Sequence, residues 1–169
     1  PTVKILDGSH IRVYVAGRDH LNRSHVGYVE FDVENPLEDQ YFSPEPAFSI
    51  GELGTFDDNG VMPLSVVDDG DQTLLYYCGW NPRATVRWTV FSGLATSNDG
   101  GKTFERYSRA PILDRTNDEP FLNGVTCVMH DNDVWRMWYI AGVGWIHPDL
   151  PKYNVRYAES DDGRNWRRD

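Results

Sequence analysis

One pattern occurs three times along the chain. Tyr14-Val15-Ala16-Gly17 returns as Tyr76-Tyr77-Cys78-Gly79 and as Tyr139-Ile140-Ala141-Gly142, with the glycines 62 and 63 residues apart. Asp7-Gly8 and Asp69-Gly70 precede the first two copies as hairpin-turn signals, and His130-Asp131-Asn132-Asp133 fills that place in the third. Downstream, GYVEFD from Gly27, GLATSNDG from Gly93 and RYAESDDG from Arg156 align as a further strand and turn. Asn59-Gly60-Val61 and Asn123-Gly124-Val125 recur at the junctions. One domain of three repeats of about 63 residues is expected, with units 1–60, 61–124 and 125–169.

Within a unit the apolar residues alternate or fall in short β-rich runs such as VMPLSVV, TLLYYCGW and VWRMWYIAG. No stretch carries the periodicity of an amphipathic helix, so the fold class is all-β. A fourth short segment, AFSI after Pro46 and Pro111-Ile112-Leu113, closes the first two units, while the third is expected to end at Asp169 without one. Repeated four-stranded antiparallel units predict a β-propeller, each blade burying its faces against the next. A sandwich is the rival, but it does not require the same order three times in register. Propellers close with roughly four to eight blades. Three blades therefore predict a homo-oligomer, most simply a homodimer.

Composition limits the partners. With 16 Lys+Arg against 26 Asp+Glu, the net charge of −10 offers no basic stripe for nucleic acid or an anionic membrane surface. The longest apolar-aromatic run, Leu74 to Trp80, is too short to span a bilayer. A soluble chain is expected, in the cytoplasm by preference, with a removed leader left open because the first residue is Pro1. Cys78 and Cys127 lack CxxC spacing and read as buried strand thiols.

In a propeller the loop between strands 2 and 3 shares a face with the link from strand 4 to the next strand 1. That face receives Arg18, Asp19, His20, Asn22, Arg23 and His25 from the first unit, Trp80, Asn81, Arg83, Arg87 and Trp88 from the second, and Trp145, His147 and Tyr153 from the third. The links add Glu52, Phe56, Asp57, Asp58 and Asn59, then Arg115, Asn117, Asp118 and Glu119. Aromatic platforms with Asp, Arg and Asn suit a carbohydrate, because rings stack on sugar C–H faces while the polar groups bind hydroxyls. Arg18, Asp19, Asn22, Arg23, His25, Trp80, Arg83, Arg115, Asp118, Trp145 and Tyr153 are the candidate sugar-binding residues. Hydrolysis of a glycosidic bond needs two carboxylates, one acid and one base or nucleophile. Asp57, Asp58 and Glu119, just before the first strands of consecutive units, are the candidates. The competing reading makes Asp58-Asn59-Gly60 a turn and Asp118-Glu119-Pro120 a loop corner. The histidines lack metal-ligand spacing, and no metal or cofactor is expected.

The runs FDDNGVMPLSVV, LLYYCGW, GLATSNDGGKTFERY, APILDRTNDEPFLNGV, WRMWYIAG and YNVRYAESDDGRNW resemble the five-bladed β-propeller superfamily of glycosidases, which includes arabinanase, β-xylosidase and β-fructosidase folds. SNDGGKTF also fits the Asp-box turn of sialidase-like propellers at Ser97, Asp99, Gly101, Thr103 and Phe104. The resemblance implies three axial carboxylates, with Asp57 or Asp58 matching an Asp position and Glu119 the acid. The link that would carry a third is expected to lie before Pro1, with Asp19 as a substitute. The resulting expectation is a carbohydrate-active protein of propeller glycoside hydrolase type. The alternatives are a non-catalytic glycan-binding propeller and a truncated repeat protein completed by oligomerisation.

Overall fold

The computed structural model describes residues 1–168, and among them every regular element is a strand. Accordingly, no helix is long and apolar enough to cross a membrane. Strands β1 (Thr2–Asp7), β2 (His10–Arg18), β3 (Ser24–Asp32) and β4 (Tyr41–Phe42) form one antiparallel meander. The second consists of β5 (Gly60–Asp69), β6 (Gln72–Pro82), β7 (Trp88–Ser97) and β8 (Glu105–Arg106). The third consists of β9 (Asn123–Asp131), β10 (Val134–His147), β11 (Leu150–Ser160) and β12 (Arg167–Arg168). A single parallel bridge, Ser24 to Gly60, joins the first two, and the sheets do not close.

Two expectations need correction. The third meander does possess a fourth strand, Arg167–Arg168. The fourth strands of the other two are Tyr41–Phe42 and Glu105–Arg106 rather than AFSI and Pro111-Ile112-Leu113. Phe48 and Leu113 of those segments make only isolated bridges, to Val26 and Ser92. Pro46 and Pro111 flank these residues and have no N–H to donate to a ladder.

Alternation sends every second side chain of a strand to the same face, so each meander has two faces to bury. Tyr14, Val26, Phe48, Leu75, Tyr77 and Phe104 fill the seam between the first and second meanders. Leu74, Tyr76, Leu94, Trp135, Met137 and Tyr139 fill the seam between the second and third. A matched hook ties each seam. The Tyr14 hydroxyl donates to Gly101 O at 2.7 Å, and 62 residues later the Tyr76 hydroxyl donates to Gly163 O at 2.8 Å. Both glycines have positive φ, 88° and 68°, and a Cβ on either would overlap the tyrosine hydroxyl. The equivalence places Tyr76 opposite Trp138 in the repeat frame, so Tyr139-Ile140-Ala141-Gly142 is displaced by one residue from the sequence alignment.

Among the described residues, two sheet faces have no covering element. On the first meander, Lys4 points to Asp68 and Thr73 of the second, so Val3 and Ile5 point away, 51% and 71% exposed. On the third, Tyr139 points inward, leaving Trp138 outward against Tyr157 at 5.5 Å.

The turns before β8 and β12 depend on carboxylates. Burial alone would raise Asp99, but bonds from Ser97, Thr103 and the Lys102 N–H outweigh it and hold the carboxyl well below its usual range. Burial at Asp162 is likewise outweighed, by the Asn165 and Arg164 N–H groups, the Asn165 side chain and Ser160. A depressed folded value adds stability above the unfolded carboxyl range, near pH 4, and loses it as pH falls. Thermal melts should therefore fall steeply below about pH 4, with Asp99→Asn flattening that acid limb. An unaltered limb would rule out Asp99 as a contributor.

Cys78 is buried, as expected, its thiol pushed up to about 12 by desolvation, whereas Cys127 is exposed on β9. One thiol should react with a disulfide reagent in the native protein and two after denaturation.

Candidate functional site

The expected acid–base residues lie in the seams. Asp57 is fully buried, and its Oδ2 accepts from the Tyr77 hydroxyl at 2.9 Å and from Arg106 Nε at 2.8 Å, while Thr55 Oγ1 donates to Oδ1 at 2.9 Å. Glu119, 3% exposed, repeats this. Its Oε1 accepts from the Tyr139 hydroxyl at 2.7 Å, its Oε2 accepts from Arg168 Nη1 at 3.0 Å, and Arg156 Nε lies 3.7 Å away. Each carboxylate precedes its tyrosine by 20 residues and its arginine by 49, and the two sets are 62 apart. Burial raises the pKa of both tyrosines well above the ordinary phenol value, so the hydroxyls stay protonated and donate.

These clasps lock a link onto strands 2 and 4 of the following meander. The link residue Asp58 accepts from Gly54 N at 2.9 Å, and Asp118 lies exposed at its loop corner. Asp57, Asp58 and Glu119 line none of the five principal cavities. In the first meander the positions matching Tyr77 and Arg106 are Val15 and Pro44, both lining an open 380 Å³ cavity.

The β2–β3 loop residues divide into two groups. Asp19 is held down in pKa first by the Arg23 N–H, against desolvation, and further by the Arg23 side chain, His25 and the Leu21 N–H. It accepts from the Leu21 and Arg23 N–H groups at 2.9 Å, from Arg23 Nε at 2.9 Å, and approaches His25 Nε2 at 3.3 Å. Asp19, Arg23 and His25 therefore shape their own loop. Arg18 and Asn22 reach outward. Arg18 donates to Asn22 Oδ1 at 2.8 Å and stacks over the Trp80 ring at 5.4 Å.

Around that stack lies a cleft of about 440 Å³ lined by Arg18, Asn22, Met62, Trp80, Pro82, Arg87, Trp88 and Val90. Trp80 enters it because Gly60 opposite has no side chain, where a Cβ would overlap the indole. Trp88 is shared with a neighbouring 520 Å³ groove that includes Ile140, Val143, Leu150, Lys152 and Tyr153. Trp145 meets Trp88 edge-on, with ring centroids 5.9 Å apart, and the Arg87 N–H donates to Pro148 O at 2.9 Å. Trp80, Trp88, Trp145 and Tyr153 thus form an aromatic row from the second meander to the third. Arg83 and Arg115 line a separate 230 Å³ cavity with Phe56, Asn81, Thr89, Phe91 and Asp114. Arg115 stacks over Phe91 at 4.9 Å.

Of the expected binding residues, Arg18, Asn22, Trp80, Trp145 and Tyr153 come together along this row. Arg83 and Arg115 share the smaller cavity, Asp19 and His25 border the 380 Å³ cavity of the first meander, and Arg23 stays in its loop. Arg87 and Trp88 lay among the loop residues of the same face but were not among the binding candidates; their closeness to Trp145 depends on a contact between meanders. The clasp partners Tyr77, Arg106, Tyr139 and Arg168 were also missed, although their matched spacings of 20 and 49 residues were the available signal.

No family model matches the chain. The uncharacterized proteins MT1551 and Rv1502, from two strains of Mycobacterium tuberculosis, are each 38% identical over 167 residues, covering 98% of this chain and 56% of theirs. The chain thus spans little more than half the length of these relatives. Among solved structures, the Bombyx mori GH32 β-fructofuranosidase BmSUC1 in complex with sucrose superposes with a TM-score of 0.69 at 19% identity, covering 95% of this chain and 32% of that one. Sucrose-6-phosphate hydrolase from Lactobacillus gasseri gives 0.67 at 12% identity over 99% and 33%. A glycosyl hydrolase from Bacteroides ovatus gives 0.64 at 16% identity over 98% and 46%. The fold is that of the β-propeller glycoside hydrolases.

For this propeller-type chain the clasps have a measurable weight. Removing one partner of a buried ion pair costs about 3–5 kcal/mol. Glu119→Gln and Asp57→Asn should each lower Tm by roughly 10 °C, and Tyr139→Phe by less. Wild-type melting of Glu119→Gln in scanning calorimetry would exclude a structural clasp.

Proposed function

We propose that the chain is a carbohydrate-binding protein built on the propeller glycoside hydrolase fold, with the glycan lying along Trp80, Trp88, Trp145 and Tyr153. The observation that carries this reading is the cleft in which Trp80 and Trp88 flank the Arg18–Asn22 pair and Arg87. Indole faces pack on sugar C–H groups, and guanidinium and amide groups donate to hydroxyls in fixed geometry. The three meanders serve as successive blades, 1–60, 61–124 and 125–169. The outward faces bearing Val3, Ile5 and Trp138 are surfaces for neighbouring blades, which a second copy of the chain would provide.

Hydrolysis by Asp57, Asp58 and Glu119 is the second reading, favoured by the likeness of fold to glycoside hydrolases. Such chemistry needs two carboxyl groups about 5–10 Å apart with the bond between them. Asp57 and Glu119 instead spend their oxygens on Tyr and Arg partners, which favours binding over turnover.

Trp80→Ala and Trp88→Ala should each weaken oligosaccharide binding roughly tenfold in isothermal titration across a panel of neutral and acidic glycans, with folding intact. Binding equal to wild type in both variants would exclude the cleft. Release of nitrophenol from aryl glycosides, abolished by Glu119→Gln without loss of fold, would instead support the hydrolytic reading.

A further inference from the structure

Nine of the thirteen arginines form ion pairs with carboxylates: Arg12, Arg23, Arg106, Arg109, Arg136, Arg156, Arg164, Arg167 and Arg168. Among the described residues the other four, Arg18, Arg83, Arg87 and Arg115, have no such pair. All four line the two cavities at the open end of the β6–β7 ribbon. Register explains the division. Trp80, Pro82, Trp88 and Val90 lie on one face of the ribbon, where the cleft holds Arg18 and Arg87. Asn81, Arg83, Thr89 and Phe91 lie on the other, beside Arg115.

Carboxylates exceed cations by ten in this chain, so counter-charges are abundant. Yet, among the described residues, the 440 Å³ cleft has no acidic lining residue. Asp114, the one carboxylate of the smaller cavity among the described residues, accepts the backbone N–H of Arg115 at 2.7 Å. Arg18 and Arg115 are oriented by stacking, on Trp80 and Phe91, which leaves guanidinium N–H edges available to a ligand. Such an edge matches a carboxylate or phosphate in bidentate fashion, with stronger bonds than a neutral hydroxyl provides.

Building on the glycan reading, we infer that the Trp80–Trp88 cleft takes an acidic glycan whose anionic group is held by Arg18 and Arg87. Arg83 and Arg115 provide a second anionic contact on the opposite face of the ribbon.

The test titrates the intact chain with oligogalacturonate, with its methyl ester, and with glucose 6-phosphate against glucose, following tryptophan fluorescence at low and high salt. Oligogalacturonate should bind roughly tenfold tighter than its ester, with the difference shrinking as salt rises. A gain for glucose 6-phosphate alone would support the inference with phosphate as the anion. Arg18→Gln and Arg87→Gln, both at exposed positions, should erase the preference, so that each variant binds acid and ester alike. Equal binding of acid and ester, together with equal binding of glucose 6-phosphate and glucose, would overturn the inference and leave the glycan reading standing. A preference surviving in the Arg18→Gln/Arg87→Gln double variant would overturn the assignment to these arginines. Absence of binding to every one of the four probes would overturn both readings.

Discussion

A fully buried carboxylate has to find its counter-charge inside the protein, and this requirement fixes how the meanders sit against one another. Asp57 and Glu119 arrive on links rather than strands, and each is met by a hydroxyl from strand 2 and a guanidinium from strand 4 of the next meander. Desolvating such groups costs several kcal/mol per ion, so the net gain over an apolar plug is small. The return is geometric: three groups from distant sequence positions must meet, so an apolar seam that could otherwise slide has one register. The tyrosine hooks on Gly101 and Gly163 fix the outer end of the same seams.

The repeat and the all-β class are legible in the sequence because turn residues and aromatic runs recur with strand periodicity. The exact frame is not. A sequence alignment follows the conspicuous Gly142, whereas the structure aligns Tyr139 with Tyr77, and Gly142 is small for a local reason: a Cβ there would crowd Leu122. The fourth strands escape notice because each has only two residues, too few to show alternation. Cys127 reads as buried because it stands in a β-rich run, yet it pairs with Trp138 on the outward side of β10.

The candidate site is half legible. Loop bookkeeping gathers Arg18, Asn22, Trp80, Trp145 and Tyr153 on one face, and they do converge. It cannot separate Asp19, which spends its charge on its own loop, from Arg18 beside it, because the difference lies in backbone turns such as Asn22 at φ 64°. Matched placement also singled out Asp57 and Glu119. That match reflects the clasp as readily as chemistry, since any residue that closes a repeated seam recurs with the repeat.

Each seam is written partly in one 62-residue unit and partly in the next. Tyr14 needs a turn glycine 87 positions later, and Tyr76 needs its own at the same distance. A duplicated segment of this length carries a donor for the seam ahead and an acceptor for the seam behind, so two such segments are compatible when first joined. A duplication that cut through a unit would part hydroxyl from carbonyl or carboxylate from guanidinium and leave a seam without its hook or its clasp. Whole units are the steps by which such a chain grows with every seam closed, and the hooks and clasps supply the grammar.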